Sequence, residues 1–450
     1  MLKRSSVITE VKDCLYLAIP LATAQLAQSA TGFVDTIMTG MLGSEALAAG
    51  GLGAMLFTFL MIVSIAVISA VSPLAAEAHG AGIPQRVSWV VRQGLWLAAV
   101  LSVPLTLIVL NGTPLLLALG QNPDTVALTQ SYLSAIGWGY FPALGFAALR
   151  SFVSALSQPR SVMVIVVLGT LINMTGNYVL MFGKFGFPEL GLAGIGWASA
   201  FSFWAMFLAL AVYILRHPQL SQYRIFQQLN QFDAKTFWAL LTVGLPIGGM
   251  VAVEGGLFTM ITFLMGQLST ATLAAHQIAL QSAALSFNVP LGISFATTVR
   301  VGQLFGKQDL AGARLAGFVG IWLGGLSMAA TALLFWFTPG FVVDLYLDIH
   351  NSANAEVIRL AQMLLGVAAV FQIVDGIQAN AAGALRGLQD TRIPLLIAIA
   401  AYWGVGLSSG LILSRLFGWG GVGLWWGLAL GLTVAAIVLT VRFDRHTRQA

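Results

Sequence analysis

Residues 46–76, ALAAGGLGAMLFTFLMIVSIAVISAVSPLAA, run for 31 positions without a charged side chain. A helix needs only about 20 such residues to cross the hydrocarbon core of a bilayer. The rest of the 450-residue chain repeats this pattern: 58% of its residues are hydrophobic and 8% are charged. An ordinary soluble domain carries roughly 25% charge, so this composition cannot clothe a water-facing surface. Mean hydropathy is +0.88. Charged residues and Gly/Pro clusters divide the chain into twelve apolar spans: 14–40, 46–76, 89–110, 126–149, 162–182, 191–215, 236–265, 272–299, 313–337, 357–381, 393–413 and 421–440. The fold class expected is an all-α membrane protein of twelve transmembrane helices. A 1–215 half and a 236–450 half, six spans each, flank a polar 216–235 linker.

The net charge of +5 would raise nucleic-acid binding in a soluble chain; here it reports topology, and no nucleic-acid partner is expected. Loops on the cytoplasmic side retain Lys and Arg. With both termini inside, 18 of the 21 basic residues fall on the cytoplasmic side, Lys3, Arg4, Arg150, Arg300 and Arg386 among them, and only Lys184, Arg359 and Arg415 fall outside. The expected location is therefore the inner (plasma) membrane, multi-pass, with both ends cytoplasmic. No cleavable leader is evident before the first span. The single cysteine, Cys14, allows no internal disulfide and reads as packing.

The halves are related to each other. A shift of 226 residues lays Pro20 on Pro246, Gly40 on Gly266 and Leu47-Ala48-Ala49 on Leu273-Ala274-Ala275; a shift of 229 lays Gly191, Gly194 and Trp197 on Gly420, Gly423 and Trp426. Six spans per half make these parallel repeats, an arrangement suited to two lobes that expose a central cavity alternately.

Three carboxylates lie inside spans: Asp35 in FVDTIMTG, Glu254 in MVAVEGGLF and Asp375 in FQIVDGIQAN. A lone ionised carboxylate at mid-bilayer costs several kcal/mol, so such residues face a bundle interior or an aqueous cavity. No Lys or Arg lies in the interior of these three spans, which leaves protonation, a bound cation, a cationic substrate, or a purely structural hydrogen-bonded role. Asn173 and Asn177, four apart in NMTGNYVL, share one helix face and could add oxygen ligands or a proton relay to Asp35, or serve as interhelical glue. Gln28 and Gln277 are supporting polar candidates. His276, near the start of span 8, reads as a capping or interfacial residue. No zinc-ligand spacing, phosphate-binding loop or nucleophile elbow is present, so ATP hydrolysis by this chain is excluded and an ion gradient remains as the energy source.

Five stretches carry a resemblance: FVDTIMTGMLGSEALAA, NMTGNYVLMFGKFGFPELGLAGIGWASA, VEGGLF, LAAHQIALQSAALSFNVPLGISFATTVRVGQLFG and QIVDGIQANAAGALRGLQDTRIP. In their order they resemble the multidrug and toxic compound extrusion (MATE) family, in its NorM-like branch. The resemblance implies two six-helix lobes in a V shape and a cation-coupled antiporter, not an enzyme, that exports organic cations or amphipathic toxic compounds. It implies ion-coupling or substrate roles for Asp35, Glu254 and Asp375, supported by Asn173 and Asn177, with no cofactor beyond a coupling ion. That ion is H+ in preference to Na+; a Na+ site could form at Asp35, Asn173 and Asn177 or at Glu254 and Asp375. The expected partners are small organic cations and the lipid bilayer, with the chain acting as a monomer. The alternative is an exporter or flippase of an endogenous metabolite or lipid-linked sugar in the same superfamily. A pyrophosphate-bearing substrate would be expected to need a basic cavity, and the spans hold almost no Lys or Arg.

Overall fold

The computed structural model describes residues 4–349 and 351–448. Lys3 and His350 fall outside that set, as does the side chain of Arg4. Twelve long helices are present among the described residues: α1 (Arg4–Met41), α2 (Ser44–Gly80), α3 (Pro84–Leu110), α4 (Pro123–Ala155), α5 (Pro159–Phe182), α6 (Gly191–Arg216), α7 (Ala234–Leu268), α8 (Thr270–Gly306), α9 (Leu310–Phe337), α10 (Ser352–Gly387), α11 (Arg392–Leu416) and α12 (Gly420–Arg448). Eleven are long and apolar enough to span a bilayer. α1 is the twelfth, 38 residues long and more polar because Gln25, Gln28 and Asp35 interrupt its apolar run. Each expected span lies within one helix, and the helices run a few residues further at their ends.

Local chemistry sets several boundaries. Proline opens α3, α4 and α5, where its missing N–H costs nothing. Asn122, Ser269 and Asp309 cap α4, α8 and α9 by accepting the N–H of Asp124, Thr272 and Gly312. Asp233 does the same for α7, accepting both the N–H (3.1 Å) and the hydroxyl of Thr236. That hydroxyl is the main cause that holds the Asp233 carboxyl below its ordinary value. The group's contribution to stability is therefore complete above the unfolded value near pH 3.9 and is lost as pH falls through the lower folded value. Asp233→Ala is expected to lower unfolding stability by about 1 kcal/mol at neutral pH, with the difference from the unsubstituted protein vanishing in acid, as read by thermal unfolding in detergent.

The chain packs as two compact units, one of residues 1–22 with 249–450 and the other of 23–248. The division does not follow the 215 and 236 boundaries expected from chain order. It cuts α1 just after Pro20 and α7 just after Pro246, two positions that the 226-residue repeat superimposes. A proline inside a helix removes one backbone hydrogen bond and crowds the preceding turn, so each helix can change its allegiance there. The two repeats have thus exchanged their opening segments.

In unit 1 the exchanged segment is held by apolar packing and by charge. Cys14, Leu17, Ala18 and Leu21 pack with Ile293, Ala296, Val299 and Val319. Arg300 pairs bidentately with buried Glu10, at 2.8 and 2.6 Å, and reaches Asp13 at 3.1 Å. In lipid, helices associate through close packing and interhelical hydrogen bonds because the tails are as apolar as the side chains. α8 and α10 illustrate this: Ser294 and Thr298 donate to the carbonyls of Ala379 (2.6 Å) and Gly383 (2.8 Å), and Asn380 donates to the carbonyl of Pro290 (3.3 Å). Large apolar side chains such as Phe263, Trp322 and Phe337 point outward, as lipid-facing residues do.

In unit 2 the connector is no free linker. Ser88, Arg92, Gln93 and Trp96 of α3 donate to the carbonyls of Tyr223 (2.6 Å), Arg224 (3.0 Å), Gln231 (3.1 Å) and Leu229 (2.7 Å), and Arg92 also reaches Ile225. Four polar side chains on the first turns of α3 therefore bind the connector as a strap. Arg92 and Gln93 are both buried, and these bonds to the connector give them the partners that buried polar groups need.

Candidate functional site

The polar residues inside the spans form two groups, one in each unit. In unit 2, Asp35 of α1 meets the asparagines of α5. Asn177 Nδ2 donates to Asp35 Oδ1 at 2.5 Å and to Asn173 Oδ1 at 3.3 Å, and Asn173 Nδ2 donates to Ser199 Oγ of α6 at 3.0 Å. The four-residue spacing that put both asparagines on one face is what lets this chain form. Asn173, Asn177 and Ser199 are buried, Asp35 is half-buried, and Asn177 Oδ1 has no partner. Thr39 donates to the backbone carbonyl of Asp35 at 2.6 Å, one turn back along α1.

Asp35 opens onto a cavity of about 330 Å3 lined also by Gln28, Phe57, Tyr132, Phe203 and Met206, with Asn173 and Ser199 at its polar end. That volume is at the lower end of the range for small-molecule sites, and the composition, mostly apolar with a few convergent polar groups, is typical of them. Aromatic rings and methionine next to one carboxylate suit a ligand that is apolar over most of its surface and positive at one point.

In unit 1, Glu254 of α7 and Asp375 of α10 lie within electrostatic range of each other. Asp375 is 6% exposed and its Oδ1 has no hydrogen-bond partner; Glu254 is half-buried. No salt bridge reaches Asp35, Glu254 or Asp375 among the described residues. The expectation of no basic residue inside these spans needs one correction. α10 continues to Gly387, which carries Arg386 within the helix, where it interacts electrostatically with Glu254 and donates to Ser294 Oγ at 2.8 Å.

Gln277 is half-buried on α8 and has no hydrogen-bond partner among the described residues, whereas its neighbour His276 is fully buried. His276 is neither a cap nor interfacial. Trp425 Nε1 donates to its Nδ1 at 3.1 Å, so the proton sits on Nε2, which lies 3.0 Å from Thr262 Oγ1. A ring locked in that way is neutral and ties α7, α8 and α12 together. Among the described residues no group of three or more His, Cys, Asp or Glu gathers as a metal centre. Sequence reasoning missed Ser199, one small residue among many in α6, and Tyr402 of α11, an aromatic in an apolar run.

The MatE family model matches residues 20–179 and 246–412, more than half the chain and one stretch in each repeat. The chain belongs to the MatE family. Among curated MatE relatives, the probable multidrug resistance protein NorM of Synechococcus sp. is 46% identical over 439 residues, covering 98% of this chain and 95% of that protein. The probable multidrug resistance protein NorM of Pseudomonas aeruginosa is 44% identical, covering 98% and 90%. Two solved MATE structures share the fold. One is the outward-facing conformation of a multidrug resistance MATE family transporter, with a TM-score of 0.88, 19% identity and coverage of 98% and 96%. The other is the eukaryotic MATE transporter AtDTX14, with a TM-score of 0.86, 20% identity and coverage of 99% and 98%. This MatE chain is a NorM-like, multi-pass secondary active transporter and not an enzyme.

Proposed function

We propose that this protein exports organic cations and cationic amphipathic compounds from a bacterial cell in exchange for an inward-moving proton. Both termini are placed in the cytoplasm and one copy is the working unit. The observation that carries the reading is the charge of the unit 1 site: two carboxylates, Glu254 and Asp375, lie within electrostatic range of each other, and a single guanidinium, Arg386, acts on Glu254. Fully ionised, the group is short of one positive charge, and one proton, one metal cation or one organic cation makes up the difference. Mutual exclusion at such a site is antiport. Asp35 with Asn173 and Asn177 gives unit 2 a second place for one positive charge, next to a cavity whose aromatic and methionine lining supports an apolar cargo.

The choice of H+ over Na+ rests on the ligand sets. Hard metal cations take cages of many oxygens. Asn177 Oδ1 and Asp375 Oδ1 are free acceptors, which fits a cation as well as a proton donor, but neither cluster gathers such a cage. The test is efflux of a fluorescent organic cation from proteoliposomes with a pH gradient or a Na+ gradient imposed separately. The pH gradient is expected to drive efflux by itself. Efflux driven only by Na+ would overturn the proton assignment, and efflux driven by neither would overturn antiport.

A further inference from the structure

The most unusual backbone in the molecule lies beside the unit 1 carboxylates. Within α11, residues Ala400–Leu407 and Ile412–Leu416 are π-helical. Extra residues of this kind inside α-helices recur at functional sites because they re-aim a side chain. Here the widened turn carries Tyr402 and Trp403. Trp403 Nε1 donates to the carbonyl of Val253 at 3.1 Å, which fastens the turn to α7 at the residue just before Glu254. Tyr402 is fully buried, and its hydroxyl has no hydrogen-bond partner. The phenol interacts electrostatically with both Glu254 and Asp375.

A buried phenol normally finds a partner, and leaving its hydroxyl unpaired costs free energy. Asp375 Oδ1 is also buried and unpaired. Two orphaned polar atoms, on α10 and α11, thus belong to one small group of side chains whose charge changes during transport. We propose that Tyr402 is a positioning residue of the coupling site: its hydroxyl donates to the Glu254 and Asp375 carboxylates when the site has released its ion, and yields that role when the ion returns. A hydroxyl suits the task because it can donate to an anion and then rotate to present a lone pair. Arg386 supplies a permanent charge, whereas Tyr402 supplies a dipole that responds to the site's occupancy.

This proposal rests on the reading of Glu254 and Asp375 as the coupling site. Its test is Tyr402→Phe, which removes one oxygen and leaves the ring. The readout is the half-saturating concentration of coupling ion for efflux in proteoliposomes at saturating substrate. Loss of the donor destabilises the ion-free site relative to the loaded one, so the ion binds more tightly and leaves more slowly. The half-saturating concentration is expected to fall roughly 10-fold, the size set by one hydrogen bond to a charged group, with a reduced maximal rate. A purely structural tyrosine would change the amount of active protein and leave that concentration where it was, and this result would overturn the proposal. Trp403→Phe loosens the turn without touching the phenol and is expected to shift the same parameter in the same direction by less. It decides the question should Tyr402→Phe fail to accumulate, and an unchanged ion dependence there would again overturn the role. Normal ion-driven efflux in both Glu254→Gln and Asp375→Asn would remove the coupling site itself and the proposal with it.

Discussion

Asp375→Asn is expected to reduce gradient-driven efflux of a fluorescent organic cation from everted vesicles to background, with protein accumulating in the membrane at the unsubstituted level. The side chain is nearly isosteric, and the backbone around it is held by packing that the substitution does not touch. Gly376 lies so close to α9 that a Cβ there would sit 2.6 Å from the carbonyl oxygen of Gly324. Folding should therefore survive. What changes is charge: with Asp375 neutral, Glu254 is left with the guanidinium that acts on it, Arg386, and the unit 1 site no longer draws in a positive charge. The amide can neither take up nor release a proton, so the site cannot alternate between its two occupants. Because a buried lone carboxylate is costly, the neutral variant should be at least as stable as the unsubstituted protein, and a rise in thermal stability would accompany the lost transport. Efflux that persisted in this variant would sink the role given to Asp375.

Gly427→Val is expected to be the most damaging substitution outside the charged sites. α11 and α12 cross where Gly406 and Gly410 meet Gly427 and Gly431. A Cβ at position 427 would lie 2.5 Å from Gly410 N and 2.6 Å from the Gly406 carbonyl oxygen, both backbone atoms that cannot swing aside. Overpacking of this kind costs about 1–3 kcal/mol, and a valine adds two methyl groups to the clash. The helix that yields is α11, already widened into π-helical turns, and it carries Tyr402 and Trp403 towards Glu254. Loss of both thermal stability and transport is the expected result, measured by heat-induced aggregation in detergent and by efflux. Gly404→Ala is the matched control: nothing lies within 4 Å of a Cβ there, so it should change neither. Equal tolerance at the two positions would mean that the close crossing does not hold α11.

The helices were legible because lipid imposes length and apolarity on every span, and arginines and prolines mark the ends. Asp35, Asn173 and Asn177 were legible for a similar reason: a carboxylate in a span is conspicuous, and a four-residue spacing fixes a face. Ser199 and Tyr402 carried no such mark, since serine and tyrosine are ordinary in membrane helices and only their buried polar atoms set them apart. The fate of the connector was hidden because a polar stretch reads as solvated until its carbonyls are seen to be claimed by Arg92 and its neighbours. Pro20 and Pro246 were visible as aligned residues of a repeat. That they also mark where α1 and α7 change units depended on packing between segments far apart in the chain, which hydropathy does not encode.

The exchange of opening segments sets an order of assembly during synthesis. Residues 23–248 are contiguous and can pack as soon as they are in the bilayer. The first residues made must wait, because Glu10 finds its partner Arg300 only 290 positions later. At typical elongation rates of about 5–20 residues per second, that delay is roughly 15–60 s. For that interval a helix end bearing Glu10 and Asp13 lacks its guanidinium. The oldest part of the nascent chain is thus secured only once α8 has been made.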